Sequence, residues 1–170
     1  MAIEIERKFL VRGPHPIDPS AKRLVQGYIA REDGRSVRVR FDGVAYTLTI
    51  KGPSQGMSRT EFEWPLSDAD GESLLMDLCS VRIEKIRHKV PDGSLVWEID
   101  VFAGDNAGLL VAEIEVPNEA TPVPAAPWLG PEVTSDPRFF NAALLDSPFC
   151  SWGISYAELL EPNISASASR

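Results

Sequence analysis

Along residues 3–12 apolar and charged side chains take turns. On an extended chain Ile3, Ile5, Phe9 and Val11 fall on one face, and Glu4, Glu6 and Lys8 on the other. The same period of two returns near 24–31, 35–42, 45–51, 57–64, 83–90, 95–102 and 109–116, which predicts eight strands. Turn signals stand between several of them: Asp33-Gly34, Asp42-Gly43, Gly52-Pro53, Asp92-Gly93 and the glycines of 104–108. The short gaps after 35–42 and after 83–90 predict hairpins, and therefore an antiparallel sheet. Helical spacing is confined to two places. Ser67, three residues before Asp70, is placed to cap a helix running to about Cys79, with Leu74, Leu75 and Leu78 facing inward. Thr134 or Ser135 is expected to cap a second, with Pro137 near its first turn and Phe140, Leu144 and Leu145 at helical spacing. The proline-rich stretch 117–131 has no period and reads as a loop, and the Ser/Ala-rich end, 164–170, as a disordered tail. The organisation is one domain over 1–150 followed by a tail, 151–170.

The polar faces are unusual in how charge is sorted. Strand by strand they offer Glu4, Glu6 and Lys8; Arg38 and Arg40; Lys51; Arg59, Glu61 and Glu63; Lys85, Arg87 and Lys89; Glu98 and Asp100; Glu113 and Glu115. Opposite faces carry residues such as Val37, Val39, Phe62, Trp64, Trp97, Ile99 and Ile114. A solvated sheet face is polar too, but it mixes in neutral side chains, whereas this stripe gathers arginine with arginine and glutamate with glutamate. Of 25 acids and 17 bases in the chain, the stripe takes eight of each, leaving 17 acids and 9 bases elsewhere, so the net charge of −8 resides outside it. A balanced stripe suits an enclosed site, because buried charges must be paired or must coordinate metal.

Composition narrows the rest. A chain of 170 residues with a 44% apolar fraction can bury one sizeable core. The net charge excludes a nucleic-acid binder that works through a broad basic surface. No apolar run is long enough to span a membrane, and the chain opens directly on a strand without a basic-then-apolar leader, which predicts a cytoplasmic protein. Cys79 and Cys150 are read as reduced thiols, and with only His15 and His88 no Cys/His metal cluster can be built.

Eight antiparallel strands can close into a barrel with room inside for one small ligand. With the charged face inward, such a lumen sets guanidinium and ammonium groups beside carboxylates. Arginine forks match phosphate oxygens and lysine acts as a point charge. Oxygen donors select hard cations such as Mg²⁺ or Mn²⁺. Bases for phosphates and acids for metal together predict a metal–polyphosphate complex, and the chemistry that follows is phosphoryl transfer.

These residues also carry a family resemblance. Glu4-Ile5-Glu6-Arg7-Lys8-Phe9-Leu10 resembles the Glu-x-Glu-x-Lys signature of the CYTH superfamily, the triphosphate tunnel metalloenzymes. The order continues with Arg38-x-Arg40, Thr49-Ile50-Lys51-Gly52, Arg59-x-Glu61-x-Glu63, Lys85-x-Arg87, Trp97-Glu98-Ile99-Asp100 and Ala112-Glu113-Ile114-Glu115, so that it covers residues 1 to about 146. The resemblance implies a mainly β fold, a closed eight-stranded antiparallel tunnel with a charged lumen and flanking helices. It implies that Lys8, Arg38, Arg40, Lys51, Arg59, Lys85 and Arg87 hold triphosphate. Glu4, Glu6, Glu113 and Glu115 then bind the metal, Mg²⁺ or Mn²⁺, and the catalytic carboxylates are Glu4, Glu6, Glu61, Glu63 and Asp100. Family members include inorganic triphosphatases, thiamine triphosphatases, class IV adenylate cyclases and fungal RNA triphosphatases. The opening motif, with Trp128-Leu129-Gly130 and Glu132-Val133-Thr134, is most similar to small bacterial members related to inorganic triphosphatases. The chain departs from the pattern at His88 and Phe139, where tyrosines are expected.

The implied activity is metal-dependent hydrolysis of inorganic triphosphate by a monomer or homodimer, with no nucleic acid or membrane partner. Its alternatives are cyclic AMP formation from ATP, thiamine triphosphate hydrolysis, and polyphosphate binding without catalysis. His88 lies on the face opposite Arg87 and reads as a packing or surface residue. Trp128, between Pro127 and Leu129, reads as cover for the barrel's apolar exterior.

Overall fold

Each alternating segment forms a strand, and eight of the strands hydrogen-bond into a ring. The computed structural model describes residues 2–53 and 58–161, with side chains from Ile5 onward. The strands are β1 (Ala2–Val11), β2 (Lys22–Glu32), β3 (Arg35–Phe41), β4 (Tyr46–Lys51), β5 (Ser58–Leu66), β6 (Arg82–Asp92), β7 (Leu95–Phe102), β8 (Leu110–Glu115) and a short β9 (Leu129–Glu132). Neighbours run in the order β5-β4-β3-β2-β6-β7-β8-β1, and β1 also pairs with β5, which closes the circle. All pairings are antiparallel.

The closure depends on β1 using both of its edges. Ala2 to Ile5 pair with β5, while Glu6 to Leu10 pair with β8. Beyond Ile5 the edge that faced β5 passes to β9, with Phe9 opposite Glu132 and Val11 opposite Leu129. The 117–131 stretch, expected to be wholly loop, thus ends in a strand. Gly130 and Pro131 mask its alternation, yet proline is tolerated on an edge strand because no inner partner needs its N–H.

Apolar faces are buried in three places. Outside β1, β7 and β8, Phe9, Trp97, Ile99 and Ile114 pack beneath Trp128, whose ring meets Trp97 edge-on at 5.2 Å. Outside β2, β3 and β4 lies helix α1 (Asp68–Asp77), capped by Ser67 accepting from Asp70 N; its Leu75, with Cys79, covers Val39. Here β2 carries Gly27, since any Cβ at that position would strike the Cys79 side chain. The third cluster is inside the ring. Leu10, Ile83 and Val111 share inward faces with Lys8, Lys85 and Glu113, and with Phe102 and Leu109 they pack against Phe139, Leu144 and Phe149 from the C-terminal segment. One end of the barrel is therefore an apolar plug and not charged lumen.

The plug also breaks the expected second helix. Thr134 does not cap it but accepts from Lys8 N at 3.0 Å. Asp136 caps a single 3-10 turn, Pro137–Phe139, and helix α2 spans only Ala143–Asp146. Driving both Phe139 and Leu144 into the plug bends the chain between them. Helix α3 (Tyr156–Leu160), opened by a Ser155–Glu158 capping box, sets the Tyr156 hydroxyl to accept from Val11 N at 2.7 Å and donate to Leu110 O at 2.8 Å. The segment expected to be disordered, 164–170, lies outside the described residues. Among the described residues no helix is long and apolar enough to cross a membrane.

Candidate active site

Strand parity turns the charged stripe inward around a cavity of about 1560 Å³. All the residues expected in the site whose side chains are described border it, except Lys85 and Asp100. The Glu4 side chain lies outside the described residues; its backbone is paired with that of Arg59.

On one wall, formed by β6, β7, β8 and β1, acids and bases interlock. Lys8 Nζ donates to both Glu6 and Glu113. Arg87 lays its fork on Asp100, with Nε to Oδ1 and Nη2 to Oδ2 both at 2.6 Å, and reaches Glu113 at 2.7 Å and Glu98 through its other nitrogen. Lys85 also pairs with Asp100 and contacts Asn141 Oδ1 at 3.3 Å. Lys85 is 1% exposed and Asp100 0%, so this pair stands behind the wall and holds Arg87 in place.

Burial works against charge here, and the partners decide the outcome. Burial alone would lower the Lys8 pKa, but Glu113 and Glu6 hold it above the ordinary lysine value. Burial would raise Glu113, yet Lys8, Lys85 and Arg87 keep its carboxyl well below the usual carboxylate range. Lys85 moves the other way: burial and the neighbouring Arg87 push it down, because the two cations share the Asp100 carboxylate.

The opposite wall, on β3, β4 and β5, is looser at its two β3 arginines. Arg38 Nη2 donates to Thr49 Oγ1 at 3.1 Å, and Thr49 donates its own proton to Glu63 Oε1 at 2.8 Å. Glu63 stands 3.6 Å from Arg38 and 3.7 Å from Arg40, too far for a hydrogen bond to either. Arg38 is 6% exposed and its Nε has no hydrogen-bond partner among the described residues. Burial, and then Arg38, lower the Arg40 pKa. Lys51 meets Glu61 at 2.6 Å. Two adjacent guanidiniums, one with an unmet buried donor, are suited to a bidentate oxyanion.

Between these walls β2 contributes residues the charge pattern missed: Gln26 and Tyr28 border the cavity. Burial pushes the Tyr28 hydroxyl up, against the nearby Arg38, Arg59 and Lys8. Being uncharged, both residues were outside the stripe, although their parity on β2 marks them; Thr49 on β4 is a third neutral group of this kind.

The carboxylates can be tested against a metal. Glu6 and Glu115 are cross-strand partners on β1 and β8, and both border the cavity. Lys8 already neutralises Glu6, so the two are not a pair of bare like charges. Among the described residues no three acidic, histidine or cysteine side chains are gathered as a cage, since Lys8 engages Glu6 and Glu113 and Arg87 engages Glu98, Asp100 and Glu113. Mg²⁺ characteristically takes one or two carboxylates and completes its shell with phosphate oxygens and water. The Glu6–Glu115 pair fits that mode.

Comparison with known proteins agrees with this geometry. The CYTH domain model matches residues 2–140. An inorganic triphosphatase of Acetivibrio thermocellus is 42% identical over 153 residues, covering 88% of this chain and 97% of the relative. One from Nitrosomonas europaea is 40% identical over 146 residues, covering 83% and 95%. A crystal structure of an inorganic triphosphatase superposes with a TM-score of 0.60 at 35% identity, covering 83% of this chain and 96% of that one. Triphosphatases of this family are in general metal-dependent. With the ring closed, the charged face inward and the family model spanning most of its length, the chain belongs to the CYTH family.

Proposed function

We propose that this protein hydrolyses inorganic triphosphate with Mg²⁺ or Mn²⁺. The observation that carries the reading is the pairing of a loosely held Arg38–Arg40 wall with the facing Glu6–Glu115 carboxylates across one cavity. The names of its relatives, matched over nearly their whole length, support the same substrate.

Arg38, Arg40, Lys51 and Arg59 hold the phosphate chain, with Lys8 and Arg87 facing them. Glu6 and Glu115, with Glu4 and Glu113 as further candidates, would hold a divalent cation, which would supply Lewis-acid neutralisation of phosphate oxygens. Glu63, between the two arginines and fixed by Thr49, is placed to orient a water molecule; Glu61 sets Lys51. Asp100 and Lys85 act through Arg87 as positioning residues. In the reaction the water oxygen bonds to the terminal phosphorus, the bridging P–O bond breaks, and its electrons leave with pyrophosphate; one proton is released. Positioning and charge neutralisation dominate such transfers, so a lumen without a covalent nucleophile suffices. Free Cys79 and Cys150 are consistent with a cytoplasmic enzyme, acting as monomer or homodimer on a small substrate.

A panel of triphosphate, ATP, thiamine triphosphate and long-chain polyphosphate, each with Mg²⁺ and with Mn²⁺, tests this. Phosphate release should be fastest from triphosphate; cyclic AMP from ATP without phosphate release would overturn the proposal. Glu6→Gln and Glu115→Gln should each abolish turnover at ordinary metal concentrations while leaving the fold intact, because each removes an anionic oxygen from a hard-cation site. Full activity with unchanged metal dependence would remove these residues from it.

A further inference from the structure

The inward face of β2 lacks charge where its neighbours carry it. Gln26 lies across from Arg40 on β3 and from Ile83 on β6, at the level where apolar plug gives way to charged lumen. It borders the cavity, is 1% exposed, and its amide nitrogen has no hydrogen-bond partner among the described residues. An unmet buried donor destabilises a fold, and native proteins carry few of them. An apolar residue at this position would extend the plug formed by Ile83 and its neighbours without that cost. Retaining an amide here makes physical sense if a ligand satisfies it.

The type of donor is informative too. Arg38 and Arg40 already stand side by side, and Arg38 opposes the charge of Arg40. A third cation on β2 would add repulsion, whereas a neutral N–H adds a directed bond without it. A glutamine facing a guanidinium across two strands suits a tetrahedral oxyanion with oxygens pointing to both.

We propose that Gln26 is a substrate-binding residue, its amide N–H donating to a non-bridging phosphoryl oxygen seated against Arg40. The proposal rests on the triphosphate reading above.

The test compares wild type, Gln26→Met and Gln26→Glu by metal-free calorimetry with tripolyphosphate and by thermal unfolding without ligand. The methionine variant keeps the length and loses the donor. Its affinity should fall about two- to tenfold, the worth of one neutral hydrogen bond, while its melting temperature holds or rises. That loss should be the same at low and high salt, whereas the loss from Arg40→Ala should shrink as salt screens it. Gln26→Glu, able to pair with Arg40, should fold and bind more weakly than the methionine variant. Unchanged affinity in a folded Gln26→Met protein overturns the proposal, as does a fall in melting temperature alongside affinity, which marks a structural glutamine. If wild type itself binds none of the phosphates in the panel, the functional reading fails instead. The two failures are thus distinguishable.

Discussion

The two walls of the lumen use the same residue types in opposite ways. On the β6–β7–β8–β1 side the ion pairs of Lys8, Lys85 and Arg87 are close and buried, and single carboxylates serve two cations. On the β3–β4–β5 side Arg38 and Arg40 share one glutamate, Glu63, at more than hydrogen-bond distance, and that glutamate is 42% exposed. A charge whose partners are already satisfied contributes to the fold, because removing one partner strands the other in low dielectric. A charge held loosely is available to a ligand. The shared carboxylates Asp100 and Glu113 of the first wall should therefore answer chiefly to stability measurements, and the arginines of the second to binding measurements.

The largest effect is expected on the interlocked wall. Glu113→Gln takes one of the carboxylates that Lys8 and Arg87 each hold. Glu6 stays on Lys8, and Asp100 and Glu98 stay on Arg87. The cost is therefore that of buried charge-assisted hydrogen bonds, about 1.5–3 kcal/mol. Urea denaturation at neutral pH measures it; a loss below about 1 kcal/mol would erase the distinction between the walls. The pH dependence carries a sign. The folded Glu113 carboxyl titrates well below its unfolded value of 4.5, so its contribution is complete above that value and is lost as pH falls toward the folded one. The wild type should lose more stability on acidification than Glu113→Gln, and the two curves should converge in acid.

The looser wall should show the reverse. Arg38→Ala and Arg40→Ala are each expected to weaken metal-free triphosphate binding tenfold to a hundredfold, the equivalent of about 1.5–3 kcal/mol for an enclosed charge-assisted contact. Stability should move less than on the first wall, since neither arginine is within hydrogen-bond length of Glu63 and the bond of Arg38 to the neutral Thr49 hydroxyl is worth about 0.5–1.5 kcal/mol. A shift below about threefold for both variants, with the fold intact by circular dichroism, would mean that these arginines do not hold phosphate.

How much of this was visible in the chain can be judged from the same residues. Period two is a strong signal over strands as long as β1 or β6, so the strands and the common face of Glu6, Arg38, Arg87 and Glu115 could be read directly, while closure of the ring with that face inward was what the family resemblance implied. The plug could not. Leu10, Ile83 and Val111 have the same parity as Lys8, Lys85 and Glu113, and only the arrival of Phe139, Leu144 and Phe149 from far along the sequence makes that end apolar. For the same reason Lys85 and Asp100 looked equivalent to Arg87: parity gives the face of a strand, but not the depth along the barrel. Gln26, Tyr28 and Thr49 carry no charge, so a stripe defined by charge passes over them.

The smallest predicted effect separates motif from face. Arg7 sits between Glu6 and Lys8 in the family signature, and Glu132 begins the Glu-Val-Thr run, so membership of a motif alone would place both in the site. Parity puts Arg7 outside the barrel, where its fork meets Glu132 at 2.9 and 2.6 Å and joins β1 to β9. The pair is partly solvated, with side chains 22% and 37% exposed, so screening limits its worth. Arg7→Ala should cost about 0.2–1 kcal/mol, less at high salt, and leave kcat/KM for triphosphate unchanged. Because the Arg7 hydrogen bond lowers the Glu132 pKa, what stability the pair gives is present above the unfolded carboxyl value and fades below it. A clear drop in kcat/KM with little change in stability would show that the exterior of β1 communicates with the lumen, and that facing direction alone does not decide which residues of the signature act on the substrate.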